Sequence, residues 1–240
     1  MFDDPVTGPF LPTDIPGCAC WLECTRPGAV TVSGSSVVSW NDQSGNGASA
    51  TPFSVHPQFP PGAKAINFAG YNTGMNLTTS SFSAALQATV VFVFTTAASL
   101  PINLPRFIAF WDGDQQNEFE FRSPHGFIPL LSSGGNFGSY CNTFLCTVHT
   151  CIASTQFIGI GTVDDVSGVN TLSVGGSSSS DFFTDIILNP MTRILIGCDA
   201  FNQQGFNGLA YEFLAWPRVL TNAEIVQLKA YLRAKYPLAI

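Results

Sequence analysis

Apolar and polar residues follow one another along this chain in short runs, many of them alternating at every second position, and the runs are cut by Gly, Pro, Asn and Ser. A period of two is that of a β-strand, whose successive side chains point to opposite faces. The pattern predicts strands over 37–40, 65–68, 88–95, 107–111, 118–122, 157–163, 171–174, 193–198 and 208–216. Within the last of these, Leu209, Tyr211 and Phe213 are expected on one face, with Glu212 on the other. Aromatic and β-branched residues dominate the runs, as a half-buried pleated surface prefers. No strand–helix alternation is present, which argues against a parallel α/β fold.

One segment changes period. Thr221-Asn222-Ala223-Glu224 has the form of a capping box, and Ile225, Leu228 and Leu232 follow at helical spacing. Lys229, Arg233 and Lys235 gather positive charge toward the end, where the helix dipole favours it, and Pro237 stops the run. The expectation is an all-β fold, a two-sheet antiparallel β-sandwich, with one C-terminal α-helix over 221–235. Its apolar stripe is expected to dock on a sheet face or edge.

Pro5, Pro9, Pro12 and Pro16 exclude a helix or central strand at the start of the chain. Residues 1–20 therefore read as an extended proline-rich arm that lies along a neighbouring subunit, and 21–240 as one domain. The stretch 175–180, Gly-Gly followed by serines, reads as a hairpin loop.

Composition narrows the partners. Only 10% of the 240 residues are charged, the net charge is −7, and Lys64, Lys229 and Lys235 are the only lysines. With no basic stripe, nucleic acid is not expected as a partner. No apolar run reaches the length of a membrane span, so no membrane insertion is expected. The start, Met1-Phe2-Asp3-Asp4-Pro5, is acidic where a signal peptide would be basic. The seven cysteines are odd in number and lack a paired metal-binding spacing, which favours free thiols over a disulfide framework.

Two segments carry a family resemblance. One is Trp40-Asn41-Asp42-Gln43-Ser44-Gly45-Asn46-Gly47; the other is Phe206-Asn207-Gly208-Leu209-Ala210-Tyr211-Glu212 with the helix behind it. Together they resemble the laminin-G-like, concanavalin A-like lectin jelly rolls, of the kind found in phage structural proteins, over about residues 21–237. In the residues themselves, Asn41, Asp42 and Ser44 can hydrogen-bond backbone in a tight turn, and Gly45 and Gly47 permit positive φ. The motif formed by Trp40, Asp42, Ser44, Gly45, Asn46, Gly47 and Glu212 is thus read as structural, with Glu212 satisfying the amides of that turn. The resemblance implies binding of calcium or sugar. Calcium, the one cofactor to be weighed, best fits Asp112 and Asp114, with Asp164, Asp165 and Asp199 as lesser candidates. For sugar, Trp111, Tyr140, Tyr71 and Phe206 sit beside polar loops and are the candidate stacking platforms.

Three function classes follow. The expected one is a non-enzymatic virion structural protein of a bacteriophage or similar virus: a head decoration, fibre or tail adhesin. Such a part would be made in the host cytoplasm and would contact other virion proteins, copies of itself and surface glycans. A stand-alone carbohydrate-binding lectin is the second class. The third is a glycan hydrolase or lyase using Glu118 and Glu120, two carboxylates on one strand face.

Overall fold

In the computed structural model the described residues are 9–53, 55–70, 72–77, 79–82, 85, 87–97, 106–111, 119–122, 134–141, 144–152, 154–164, 166–182, 193–198 and 205–237, with the strands between 106 and 152 described by their backbone alone. The strands in chain order are β1 (Cys20–Glu23), β2 (Val30–Ser33), β3 (Ser36–Trp40), β4 (Ala50–Pro52), β5 (Ile66–Ala69), β6 (Met75–Leu77), β7 (Gln87–Thr96) and β8 (Arg106–Trp111). They continue with β9 (Phe119–Arg122), β10 (Gly134–Cys141), β11 (Phe144–Ile152), β12 (Gln156–Asp164), β13 (Val169–Val174), β14 (Ser177–Phe182), β15 (Arg193–Ile196) and β16 (Asn207–Trp216), before helix α1 (Asn222–Lys235).

Two antiparallel sheets form. The first runs β1-β16-β7-β12-β13-β14, with β5 also paired to β16; the second runs β11-β10-β9-β8-β15-β6-β4-β3-β2. The protein is the all-β sandwich with one C-terminal helix that the periodicity predicts. Trp40, Phe68, Phe82, Phe92, Phe94, Phe157, Phe206 and Phe213 fill the space between the sheets. Gly159 makes room for this aromatic layer, since a Cβ there would lie 2.3 Å from the Phe92 ring.

Beneath the helix the first sheet is buried on both faces, which explains why β7 reads as a nearly unbroken apolar run. Phe92 and Phe94 point between the sheets, whereas Val91 and Val93 join Ile158, Ile160, Leu214 and Trp216 in a second cluster on the outer face. Helix α1 covers that cluster with Leu228, Leu232 and Tyr236. Each fully buried leucine contributes about 2 kcal/mol by removal from water. The described part of the N-terminal segment lies on the same cluster: Ile15 is buried in it, and Phe10 and Leu11 pack against it. Arg218 donates to the Pro16 carbonyl at 2.9 Å and fastens the segment to this chain's own sandwich.

The capping box forms as expected. Thr221 Oγ1 accepts from the Glu224 amide at 3.3 Å, and the Thr221 amide donates to Glu224 Oε2 at 2.8 Å. Arg218 holds the same carboxylate through both guanidinium nitrogens, at 2.6 and 2.9 Å. Led by the hydrogen bond from Arg218, these contacts hold the Glu224 carboxyl at about 2.

The turn after β3 is built around Asp42. Its Oδ1 accepts from the Trp21 and Ser44 amides at 2.9 Å each, and its Oδ2 from Ser44 Oγ at 2.7 Å and from the Asn46 and Ala48 amides at 3.1 and 3.2 Å. Gly45 and Gly47 have φ of +89° and +74°, the left-handed region that favours glycine. Asn46 Nδ2 donates to the Cys18 carbonyl at 2.7 Å, and Trp40 Nε1 to the Glu23 carbonyl at 2.9 Å. The turn thereby ties one sheet to the other. Asp42 satisfies its amides, and Glu212 takes no part.

Two expectations are corrected. The serine run is strand β14: Gly175 and Gly176, both at positive φ, make a two-residue turn, and Val174 pairs with Ser177. In β16 the register shifts between Ala210 and Glu212, so one extra residue, Tyr211, breaks the alternation. Phe213 therefore faces the inter-sheet core, while Tyr211 packs on the outer cluster.

Cys18, Cys20, Cys24 and Cys198 are buried thiols. Burial pushes Cys18 up to about 12 and raises Cys20 and Cys24 as well. Two tests follow from these contacts. Alkylation of the native protein at about pH 8 is expected to spare all four thiols and to label them once the chain is unfolded, because the thiolate is the reactive form. Glu224 has a lowered folded-state value, so its contribution is complete above the ordinary carboxylate range and lost as pH falls toward about 2. Glu224→Gln should cost about 1 kcal/mol at neutral pH and flatten the stability profile between about pH 5 and pH 2 in denaturant titrations.

Candidate functional site

Helix α1 ends before it has covered the whole outer face of the first sheet. Asn67 lies between the core residues Ile66 and Phe68, and Thr95 follows the core residue Phe94, so both side chains face outward. Gln156 precedes the core residue Phe157 and does the same. Register then brings residues from four strands side by side: Asn67 opposite Leu209, Leu209 opposite Thr95, and Thr95 opposite Gln156. This row lines a groove of about 640 Å³ with Asn207, Tyr211, Ser154 and Thr155. A second lobe of about 450 Å³ shares Asn67, Leu209 and Tyr211 and adds Ser35, Gln58 and Lys64.

Tyr211 forms the wall nearest the helix. Its ring meets that of Tyr236 edge-on at 5.9 Å, and its phenol oxygen accepts from Thr95 Oγ1 at 3.3 Å. Two positions beyond Leu209, Tyr211 keeps that residue's outward phase, and the bulge reverses the phase only after it. Amides, hydroxyls and one aromatic ring can donate, accept and stack. Neither lobe has a carboxylate or imidazole among its lining residues, and Lys64 is their one charged side chain. This lining is suited to holding an uncharged polyhydroxylated ligand and contains no pair of carboxylates for glycoside cleavage.

A second cluster sits beneath the end of the helix. Glu23 and Glu212 are register partners on β1 and β16, and each is 1% exposed. Lys235 bridges them, forming an ion pair with Glu23 Oε2 and lying 2.8 Å from Glu212 Oε2. Glu212 also accepts from Trp21 Nε1 at 2.7 Å, Tyr236 OH at 2.8 Å and Tyr231 OH at 3.1 Å. Arg26 Nε lies 3.1 Å from Glu23 Oε1, with its guanidinium stacked 4.1 Å over the Trp21 ring. Burial, then the nearby Glu212 charge, pushes both tyrosine phenols well above their ordinary value. Two carboxylates this close resemble a glycosidase pair. Here they are buried and committed to Lys235, so they hold the helix and through Tyr236 support the groove wall.

The sugar and metal candidates from the sequence lie elsewhere. Phe206 is 1% exposed and packs against Phe68 at 6.0 Å, so it is a core residue and presents no face to a sugar. Tyr71, Asp112, Asp114, Asp165, Asp199 and Glu118 lie outside the described residues. Trp111, Tyr140 and Glu120 are described by backbone alone; Trp111 closes β8, and Tyr140 pairs with Glu120. Asp164 caps its own turn, accepting from the Val166 amide at 3.0 Å and from Ser167 Oγ at 2.7 Å. Among the described residues no group of three or more His, Cys, Asp or Glu is placed to hold a metal ion.

No protein-family model and no curated protein matches the chain. Solved structures do. Trypanosoma rangeli sialidase matches with a TM-score of 0.62 at 13% identity, over 88% of this chain and 32% of its own. Domain 4 of AbnA, a GH43 extracellular arabinanase from Geobacillus stearothermophilus in complex with arabinotriose, matches with a TM-score of 0.59 at 14% identity, over 88% of this chain and 98% of its own. An arabinofuranosidase complexed with arabinofuranosyl-α-1,2-xylobiose matches with a TM-score of 0.60 at 13% identity, over 91% and 64%. The chain thus spans about a third of the length of the sialidase and nearly the whole of the arabinanase domain.

These matches show the fold, a β-sandwich that recurs in each of the three solved proteins. They correct the expectation of a virion structural protein that takes no part in enzymatic chemistry, because the solved proteins sharing the fold are a sialidase, an arabinanase and an arabinofuranosidase.

The buried charges give a test. Lys235→Met leaves Glu212 without its cation and Glu23 with Arg26 alone, and is expected to cost about 3–5 kcal/mol in denaturant unfolding. Adding Glu212→Gln to that variant should restore part of the loss.

Proposed function

We propose that this chain is the glycan-binding β-sandwich of a glycan-active enzyme, and that it holds carbohydrate in the groove of Asn67, Thr95, Gln156, Asn207, Leu209 and Tyr211. One observation carries the reading. The uncovered part of the outer sheet face is lined by amides, hydroxyls and a phenol ring, aligned by strand register and lacking a carboxylate. Amide and hydroxyl groups match the paired donor and acceptor character of sugar hydroxyls. Leu209 and the face of Tyr211 meet the apolar C–H faces of the rings. Such pockets gain specificity from a few placed polar groups against an otherwise apolar floor. In support, the solved domain that this chain nearly spans was captured with arabinotriose.

On this reading the groove keeps the enzyme on its polymer, while bond cleavage falls to carboxylates elsewhere in the enzyme.

The test is a glycan array followed by calorimetry on the best ligand. Asn67→Ala and Gln156→Ala should each weaken binding about tenfold, the loss of one or two hydrogen bonds to a desolvated ligand. Both positions are partly or fully exposed, so the melting temperature should stay within a few degrees. Unchanged affinity in both variants, with binding intact, would move the site elsewhere.

A further inference from the structure

Resting on the reading of the groove as a carbohydrate site, we infer that it takes an internal stretch of a linear glycan laid across the strands, about one sugar unit per strand, rather than a chain end. The row described above continues beyond Asn67, because Gln58 forms a bridge with Asn67 on the side away from Leu209. Five residues, Gln58, Asn67, Leu209, Thr95 and Gln156, thus stand in one line across the sheet. Four inter-strand steps of about 4.8 Å make a line of about 19 Å. That repeat is close to the advance per unit of an extended polysaccharide, so side chains and sugars stay in step instead of drifting out of phase.

The shape gives the direction. Along the strands the trench is short, reaching from Asn207 to Tyr211 in β16. Toward the helix it ends at Tyr211 and at the covered apolar residues Val93 and Ile158. The other way the strands themselves end, at Thr96 in β7 and at Asn207 in β16. Across the strands no described residue closes it, and the two lobes share Asn67, Leu209 and Tyr211 and form a single trench. Exposed residues stand at both ends, Pro60 and Lys64 at one and Ser154 at the other. A site that caps a chain end needs a wall where the terminal sugar stops. Among the described residues this trench has none, so the polymer runs out past both sides.

Length selectivity is the readout. Oligosaccharide ladders of one to about six units, derived from arabinan, xylan and cellulose, are titrated into the purified chain alongside the parent polymers. On the ladder that binds, affinity should rise about fivefold per unit up to about four units and then level off. The polymer should bind many copies along its length. Asn67→Ala, at the middle of the row, should weaken every length, whereas Gln156→Ala, at one end, should move the plateau one unit shorter. A monosaccharide binding as tightly as the tetramer, or a polymer saturating at one protein per chain end, overturns the inference and leaves the carbohydrate site standing. No binding to any ladder, polymer or array glycan removes the glycan reading itself, and this inference with it.

Discussion

The carboxylates of Glu23 and Glu212 face each other on the edge pair of the first sheet, beneath the end of the helix, and the ammonium of Lys235 lies between them. Two buried negative charges side by side are untenable unless a cation and hydrogen-bond donors reach them. Supplying these fixes everything around the site. Lys235 is the last residue of α1, so the helix must end over the β1–β16 pair. Tyr231 and Tyr236 turn their hydroxyls toward Glu212, as does the Trp21 indole, and the helix is then held in both position and rotation. Tyr236 in turn meets Tyr211, and that ring is the groove wall. A charge requirement inside the molecule thus reaches its surface through one hydrogen bond and one ring contact.

The two ends of the helix are held by different means. At its start, Glu224 is bound by the Thr221 amide and by the guanidinium of Arg218, both on the partly exposed surface. At its end the charges are buried. Between them Leu228 and Leu232 are fully covered, so hydrophobic burial supplies the bulk of the adhesion and the polar contacts supply register. The N-terminal segment uses the same layer, with Ile15 beneath it and Pro16 bonded to Arg218.

Much of this architecture was legible in the sequence, because it depends on periodicity. The long strands β7, β12 and β16 show apolar alternation or runs, and the helix has both its capping box and its stripe. The short strands β1, β4 and β6 are too brief to show a period, and β14 is a run of serines with no apolar face. There the glycine pair at 175–176 and the pairing to β13 decide the conformation. The groove was harder to see. Asn67 and Gln156 can be recognised singly as polar breaks beside core aromatics, but they lie 89 positions apart, and only strand order brings them into one row. Phe206 misled for the opposite reason. Polar neighbours in sequence suggested exposure, whereas its ring turns into the inter-sheet space.

The extra residue in β16 divides that strand into two independent stretches. Upstream of it, Asn207 to Ala210 follow one inside–outside phase; downstream, Glu212 to Trp216 follow the other. Sliding the strand by one position to erase the bulge would drive a carboxylate into the aromatic layer, so the phase change acts as punctuation that the chain cannot skip. Asn207 and Leu209 on the groove side can therefore change without shifting the phase of the residues that carry the ionic anchor beyond the break.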